Sequence, residues 1–131
     1  MTEQQLRAPV WHRLFRDIYV HADRLNAHEH RMWCEAAALL LPPGAAISGP
    51  SAAFLLGSLS PARGSPVTVT VPPARHLRAQ PRLTVVRGRL PPADLTAVGG
   101  LPATSPHRTA FDLGRGTDRR DALVALDALL H

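Results

Sequence analysis

The run TSPHRTAFDLG, residues 104–114, brings hydroxyl, imidazole, guanidinium and carboxylate groups into one short stretch. Ser105, His107 and Asp112 are the residue types of a hydrolytic triad, and Arg108 beside a helix start could hold an anion. The spacing argues against catalysis, because three residues of a single helix have no reason to converge on one point. We therefore predict no catalytic residue here.

A capped helix accounts for most of the polar groups in this run. Thr104 or Ser105 is the predicted N-cap, Pro106 lies in the first turn, and Gly114 ends the helix. The predicted apolar face consists of Ala110, Phe111 and Leu113.

Arg108 and Asp112 are four residues apart, a spacing at which the two side chains can form an ion pair on a helix. Ser105 and Arg108 remain candidates for a second role, because a hydroxyl and a guanidinium at a helix start can also contact an acidic or phosphate group of a partner.

The densest basic region lies further upstream, around one predicted hairpin formed by PVTVTV and RLTVVRG. Its candidate binding residues are Arg75, Arg78, Arg82, Arg87 and Arg89. Such a cluster can contact the phosphates of DNA with an affinity that falls as salt rises, whereas the scarcity of aromatic residues argues against base stacking. Two interpretations stay open: a patch that contacts a nucleic-acid backbone, and a surface that only keeps the protein in solution.

Two further motifs carry weaker signals. His28 and His30 are two residues apart, which points them in different directions on a helix, so we predict no metal site and no cofactor. The run Ser48-Gly49-Pro50-Ser51 resembles a nucleophile elbow only loosely. It is explained as a strand followed by a short helix that Ser48 caps. A small hydrolase that uses Ser51 or Ser105 remains a minor alternative.

Composition excludes several classes of protein. All fifteen basic residues are arginine and the formal charge is +5. The lack of lysine excludes a P-loop, Schiff-base chemistry and nucleases that need a catalytic lysine. The single cysteine, Cys34, excludes an intramolecular disulfide and Cys-x-x-Cys metal sites. No apolar run approaches the length of a membrane span, so we expect no membrane partner and a cytoplasmic location.

The elements that must position these residues alternate along the chain. The patterns predict strand, helix, strand, helix, two or three strands, and two final helices, of which the last is TDRRDALVALDALL. The first strand segment, WHRLFRDIYVHA, is compatible with a hairpin. This order predicts a small α/β (α+β) domain, in which a mixed sheet packs with about four helices.

A family resemblance emerges from the order of five segments. LFRDIYVHA, AAALLLPPGAAISGPSAAFLLG, VTVTVPP, LPPADLTAVGGLPATSPHRTAFDLGR and ALVALDALL together resemble the AbiEi-like antitoxins of type IV toxin–antitoxin systems, which are found especially in actinobacteria. The TSPHRT run and the pairing of LPPG with ISG are the most specific pieces. Related chains carry the same region ahead of an endonuclease domain that resembles the very-short-patch repair enzyme.

The resemblance implies a non-catalytic binding module. It implies that residues 13–131 form the antitoxin-like domain, and that residues 1–12 are disordered or a remnant of the wing of a largely missing N-terminal winged helix. The implied partners are a nucleotidyltransferase-type toxin, which the domain would counter, and DNA, through which it would regulate its own transcription. The alternative is a truncated scaffold or targeting domain of a nuclease-fused protein that lacks its endonuclease.

Overall fold

The computed structural model describes residues 10–22, 25 and 29–116, and within them the predicted mixed α+β class is confirmed. The strands are β1 (Trp11–Phe15), β2 (Ile18–His21), β3 (Ala46–Ile47), β4 (Val67–Val71), β5 (Leu83–Arg87), β6 (Leu95–Val98) and β7 (Leu101–Thr104). The helices are α1 (Glu29–Ala38), α2 (Gly49–Leu55) and α3 (Pro106–Gly116), with a 3-10 turn at Pro92–Asp94. The last predicted helix, TDRRDALVALDALL, lies outside the described residues.

Strands β1 and β2 form an antiparallel hairpin that packs against α1. The turn falls at Arg16 and Asp17, and Asp17 adopts a left-handed backbone conformation with φ of 63°. Phe15 is almost fully buried and meets Trp33 of α1 edge-to-face, with 5.1 Å between ring centroids. This aromatic pair fixes the hairpin on the helix.

The other five strands form one mixed sheet in the order β5-β4-β3-β7-β6. Strand β3 pairs antiparallel with β4 and parallel with β7, and β6 pairs antiparallel with β7. Gly99 and Gly100 connect β6 to β7 with φ of +56° and +81°, as a tight hairpin turn of this hand requires.

The predicted hairpin between β4 and β5 is wrong, because these strands run parallel, with Val67 beside Leu83 and Val71 beside Arg87. Parallel neighbours need a connection that returns along the sheet. Residues 72–82, which we name the crossover segment, make that return. The Arg87 guanidinium holds the segment in place by donating hydrogen bonds to the carbonyl oxygens of Arg75 and Leu77.

The two faces of the sheet differ in chemistry. Val67, Val69 and Val71 of β4 point to the first face and are fully buried in the core that α1 completes. Thr68 and Thr70 point to the second face, which α3 crosses. The predicted alternation of valine and threonine along β4 is therefore confirmed, and α3 lies on the polar side of the strand.

Candidate functional site

The start of α3 is organised by hydroxyl groups. The Ser105 Oγ accepts a hydrogen bond from the Arg108 amide at 3.2 Å, so the predicted serine cap is confirmed. Thr104 and Thr109 are fully buried, and their Oγ1 atoms lie 2.7 Å apart. The Thr109 hydroxyl also donates to the Thr104 carbonyl at 3.2 Å, which satisfies a polar group inside the domain.

Two predictions about α3 are wrong. Phe111 is 57% exposed, whereas Thr109 joins Leu113 on the buried side because its hydroxyl has partners there. Gly114 does not end the helix, which continues to Gly116. Gly114 keeps a helical backbone and does not adopt the left-handed conformation of a C-terminal cap.

Arg108 is the hub of an ion network on the second face. Its Nε donates to Asp112 Oδ1 at 3.0 Å, as the spacing predicted, and its Nη1 donates to Asp94 Oδ2 at 3.0 Å and to the Arg89 carbonyl at 2.7 Å. Burial lowers the pKa of the guanidinium, but hydrogen bonds to Asp94 and Asp112 and their negative charges outweigh it, so the pKa is raised above its ordinary value. Arg108 therefore serves the fold.

The Arg82 side chain also makes contacts within the domain. Its guanidinium lies over the Trp33 ring, 3.9 Å from the centroid, and pairs with Glu29 at 3.2 Å. Its backbone φ of +67° is needed at the turn into β5. Because the side chain is engaged on both sides, Arg82 is not part of an open basic patch.

The remaining arginines of the cluster separate into two places. Arg75, Arg78 and Arg87 are exposed on the crossover segment and the end of β5, whereas Arg89 is exposed next to the ion network of α3. Arg87 still presents an exposed side chain, although its guanidinium is bonded to backbone carbonyls.

Sequence reasoning missed Arg16. This exposed residue lies in the β1–β2 turn, and its amide donates to Gln80 Oε1 of the crossover segment at 3.0 Å. We name Arg16, Arg75, Arg78 and Arg87 the basic surface. No local signal could have added Arg16 to it, because the contact joins residues 64 positions apart.

Ser51, in the run that loosely resembles a nucleophile elbow, is buried and hydrogen-bonded within the domain. Ser51 is fully buried, its Oγ accepts the Thr68 amide at 2.9 Å, and His30 Nε2 lies 3.1 Å away. The donor in the contact between His30 Nε2 and Ser51 Oγ depends on the His30 tautomer, because a serine hydroxyl can accept two hydrogen bonds. Burial and the positive charge of Arg82 lower the pKa of His30, against an opposing effect of Glu29.

Ser48 occupies the N-cap position of α2, but its side chain makes no capping bond, contrary to the prediction. Its Oγ accepts a hydrogen bond from Thr70 Oγ1 at 2.7 Å, which joins β3 to β4. A buried hydroxyl pair competes successfully with capping here because it satisfies the Thr70 donor on the second face.

Within residues 10–22, 25 and 29–116, no three His, Cys, Asp or Glu side chains are grouped as a metal site would require. None of the helices described by the structure is long and apolar enough to cross a membrane.

The sequence comparison decides the family. The model of the AbiEi antitoxin C-terminal domain matches residues 23–131. The chain belongs to the AbiEi antitoxin C-terminal domain family. The resemblance seen in the sequence is thereby confirmed, and membership gives the chain a role in toxin–antitoxin biology with a toxin as its general partner. A search of curated proteins finds no match to the chain.

Members of this family are generally non-catalytic. The two serines considered for hydrolysis both make structural contacts. Ser51 is fully buried, and the Ser105 Oγ accepts the Arg108 amide at the start of α3.

Proposed function

We propose that this chain is a non-catalytic antitoxin module that binds and counters a nucleotidyltransferase-type toxin through the basic surface. The observation that carries the proposal is that the turn with the exposed Arg16 is bonded to the crossover segment, which together with the end of β5 exposes Arg75, Arg78 and Arg87, on a domain of an antitoxin family. The domain and its function belong to the cytoplasm in this proposal, and the functional unit includes residues 13–131.

Charge complementarity supports this choice of partner. Enzymes that transfer nucleotidyl groups hold metal ions with carboxylates and bind polyphosphate substrates, so their active-site clefts carry negative charge or recruit it. Arginine suits such a surface because its planar guanidinium binds carboxylate or phosphate through two hydrogen bonds. A surface of four arginines is thus suited to cover the cleft of such a toxin.

Hydrogen bonds to the crossover segment hold the basic surface in one conformation. The Arg87 guanidinium bonds to the carbonyls of Arg75 and Leu77, and Gln80 accepts the Arg16 amide, so the crossover segment is fastened at both sides. A preorganised surface loses less conformational entropy on binding than a flexible loop would.

The test is co-expression with a nucleotidyltransferase-type toxin, with cell growth as the readout. The double variant Arg75→Glu/Arg78→Glu should lose rescue while its urea unfolding midpoint stays unchanged. Arg63→Glu is a charge-reversal control outside the basic surface, since the Arg63 side chain is 81% exposed on a different loop, 3.7 Å from Glu29. Full rescue by the double variant would show that the basic surface does not act on the toxin.

The same arginines favour a second function, DNA binding in transcriptional autoregulation. If all four contact phosphates, the logarithm of the binding constant should fall with the logarithm of the salt concentration with a slope of about −3.6, from about −0.9 for each phosphate. Fluorescence anisotropy with promoter DNA measures this slope. Absence of binding at low salt would remove this function, and would leave the toxin-binding proposal to its own test.

A further inference from the structure

We propose that the outer side of α3 binds single-stranded nucleic acid by stacking one base on the Phe111 ring. The surface, which we name the α3 platform, consists of His107, Phe111, Gly114 and Arg115. It shares no residue with the basic surface, so this inference goes beyond the proposed action on a toxin and is independent of it. It rests on an exposed ring, an open space beside that ring, and the exposed positive charge next to both.

An aromatic ring at the centre of the platform projects into solvent. Phe111 is 57% exposed, whereas Leu113, two residues later, is buried. His107 precedes Phe111 by four residues and Arg115 follows it by four, a spacing that places the three side chains in one row along a helix. Each step of four residues rises about 6 Å. The ring thus lies between two exposed side chains that can donate hydrogen bonds.

The surroundings of the ring leave room for a flat ligand. The Arg115 guanidinium lies over the ring, 5.2 Å from its centroid, within the range of a cation–π contact. Gly114, three residues after Phe111, borders open space, since a Cβ at this position would meet no atom within 4 Å. The fold does not require glycine here, because the φ of Gly114 is not positive and its Cβ position is uncrowded. Since glycine is a poor helix former, its presence inside α3 points to a use for the open space.

The exposed charges next to the platform are positive. Arg89, a predicted binding residue outside the basic surface, is exposed, and its carbonyl is bonded to the guanidinium of Arg108, three residues before Phe111. The two carboxylates of the ion network are only partly exposed and are both bonded to Arg108. Arg89 and Arg115 therefore supply two guanidinium groups of the kind that binds phosphate through paired hydrogen bonds.

These features fit a base and the phosphates beside it. Proteins bind single strands by stacking bases on aromatic side chains while positive groups contact the backbone. Within a duplex the faces of the bases are covered by neighbouring bases, so a ring on a helix can stack only on an unpaired base. Charge alone would also attract an acidic protein, but a carboxylate has no need for open space along a ring. The scarcity of aromatic residues argued against stacking at the basic surface, whereas here one of the three phenylalanines of the chain is exposed.

A tryptophan at position 111 reports stacking directly, because a base stacked on an indole quenches its fluorescence. Phe111→Trp should lose fluorescence on titration with RNA or DNA single strands of about eight nucleotides, and the apparent affinity should fall as salt rises. Leu39→Trp is the matched control, since Leu39 is 74% exposed just after α1 and a tryptophan there should show no quenching. The unsubstituted chain corrects for the signals of Trp11 and Trp33.

The choice of nucleic acid separates the outcomes. Equal affinity for RNA and DNA would support a platform that contacts bases and phosphates, and tighter binding of RNA would support the platform with an added contact to the 2′-hydroxyl. Absence of quenching at low salt, equal quenching of the two tryptophan variants, or quenching by duplex alone would overturn the proposal. Quenching by polyglutamate and not by nucleic acid would overturn it in favour of an acidic protein partner.

A further substitution tests the open space. In the Phe111→Trp chain, Gly114→Leu should weaken binding at least about fivefold, because the added side chain occupies the space of the stacked base. The urea unfolding midpoint should not fall, since leucine is a better helix former than glycine. Arg75→Glu/Arg78→Glu in the same background should leave the extent of quenching at saturation unchanged, which separates the platform from the basic surface. Unchanged affinity of Gly114→Leu, or loss of quenching in the double variant, would contradict the assigned site.

Discussion

Replacing Arg108 with alanine removes the hub of the ion network and leaves two carboxylates without their cation. The Arg108 side chain is 14% exposed, and its partners Asp94 and Asp112 are 31% and 19% exposed. Removing one partner of a fully buried ion pair costs about 3–5 kcal/mol. Residual access of water to Asp94 reduces the penalty, so we expect Arg108→Ala to lower the free energy of unfolding by about 3 kcal/mol, near the low end of that range.

Urea unfolding of the purified chain measures this cost. Glu35→Gln is the control, because the exposed pair between Arg31 and Glu35 should be worth only about 0.3–0.5 kcal/mol. Arg108→Lys should fall between wild type and Arg108→Ala. A lysine keeps the charge but cannot direct separate N–H groups to Asp94, Asp112 and the Arg89 carbonyl.

A loss below about 1 kcal/mol for Arg108→Ala would mean that the network behaves as an ordinary surface ion pair, and would refute the reasoning from burial. A double-mutant cycle with Asp94→Asn adds a second check. The two substitutions should be non-additive by at least about 1 kcal/mol, because the side chains bond directly.

Four further predictions follow from the described contacts. Burial and Arg82 keep the pKa of His30 below its ordinary 6.5, so the folded state favours neutral His30. The stability that this gives is present above pH 6.5 and is lost as the pH falls below that value. His30→Gln should therefore flatten the pH dependence of the urea unfolding midpoint between about pH 7 and 5. Burial raises the pKa of the Cys34 thiol to about 12, so a thiol reagent at pH 8 should label it only after denaturation, and rapid labelling of folded protein would contradict this. Gly100→Val should lower the free energy of unfolding by about 1–2 kcal/mol, because φ is +81° at this turn and a β-branched residue fits that conformation poorly. Gly100→Asn should lower it clearly less, since asparagine tolerates the left-handed region. Equal urea unfolding midpoints for the two variants would contradict this explanation. Arg82→Ala should lower the free energy of unfolding by about 1–2 kcal/mol and alter the fluorescence of Trp33, because the guanidinium lies over its ring and pairs with Glu29. It should leave the rescue of cells from the toxin unchanged. A stable variant that loses rescue would show that Arg82 belongs to the binding surface.

Local patterns predicted the elements well. The alternation of valine and threonine located β4 and its two faces, and Pro106 after Ser105 located the start of α3. These signals depend on neighbours within one turn or one strand, where the sequence and the local backbone are directly linked.

Pairing between elements was harder to predict. Consecutive strands favour a hairpin, yet β4 and β5 are parallel, and the crossover segment that joins them is bound by Arg87. Whether a strand pairs with its successor in one direction or the other depends on such tertiary contacts, which leave no local mark in the sequence.

The candidate binding residues illustrate the same limit. Arg82 and Arg108 have the same residue type as Arg75 and Arg78, but tertiary contacts bring the former against Trp33 and Asp94 and leave the latter exposed. Composition could therefore locate a basic region, but not separate its structural arginines from those available to a partner.

Strand β3 has a mechanical consequence for the whole domain. It contributes only two residues, yet it joins the ribbon of β4 and β5 to the ribbon of β6 and β7, and its link to β7 is the single register pair of Ile47 with Ala103. Few backbone hydrogen bonds therefore join the two ribbons at β3, and the burial of side chains there does more than backbone pairing to keep them together. Under mechanical load or in mild denaturant, we expect the sheet to separate first at β3, into the ribbon of β4 and β5 and the ribbon of β6 and β7, each with its internal hydrogen bonds intact.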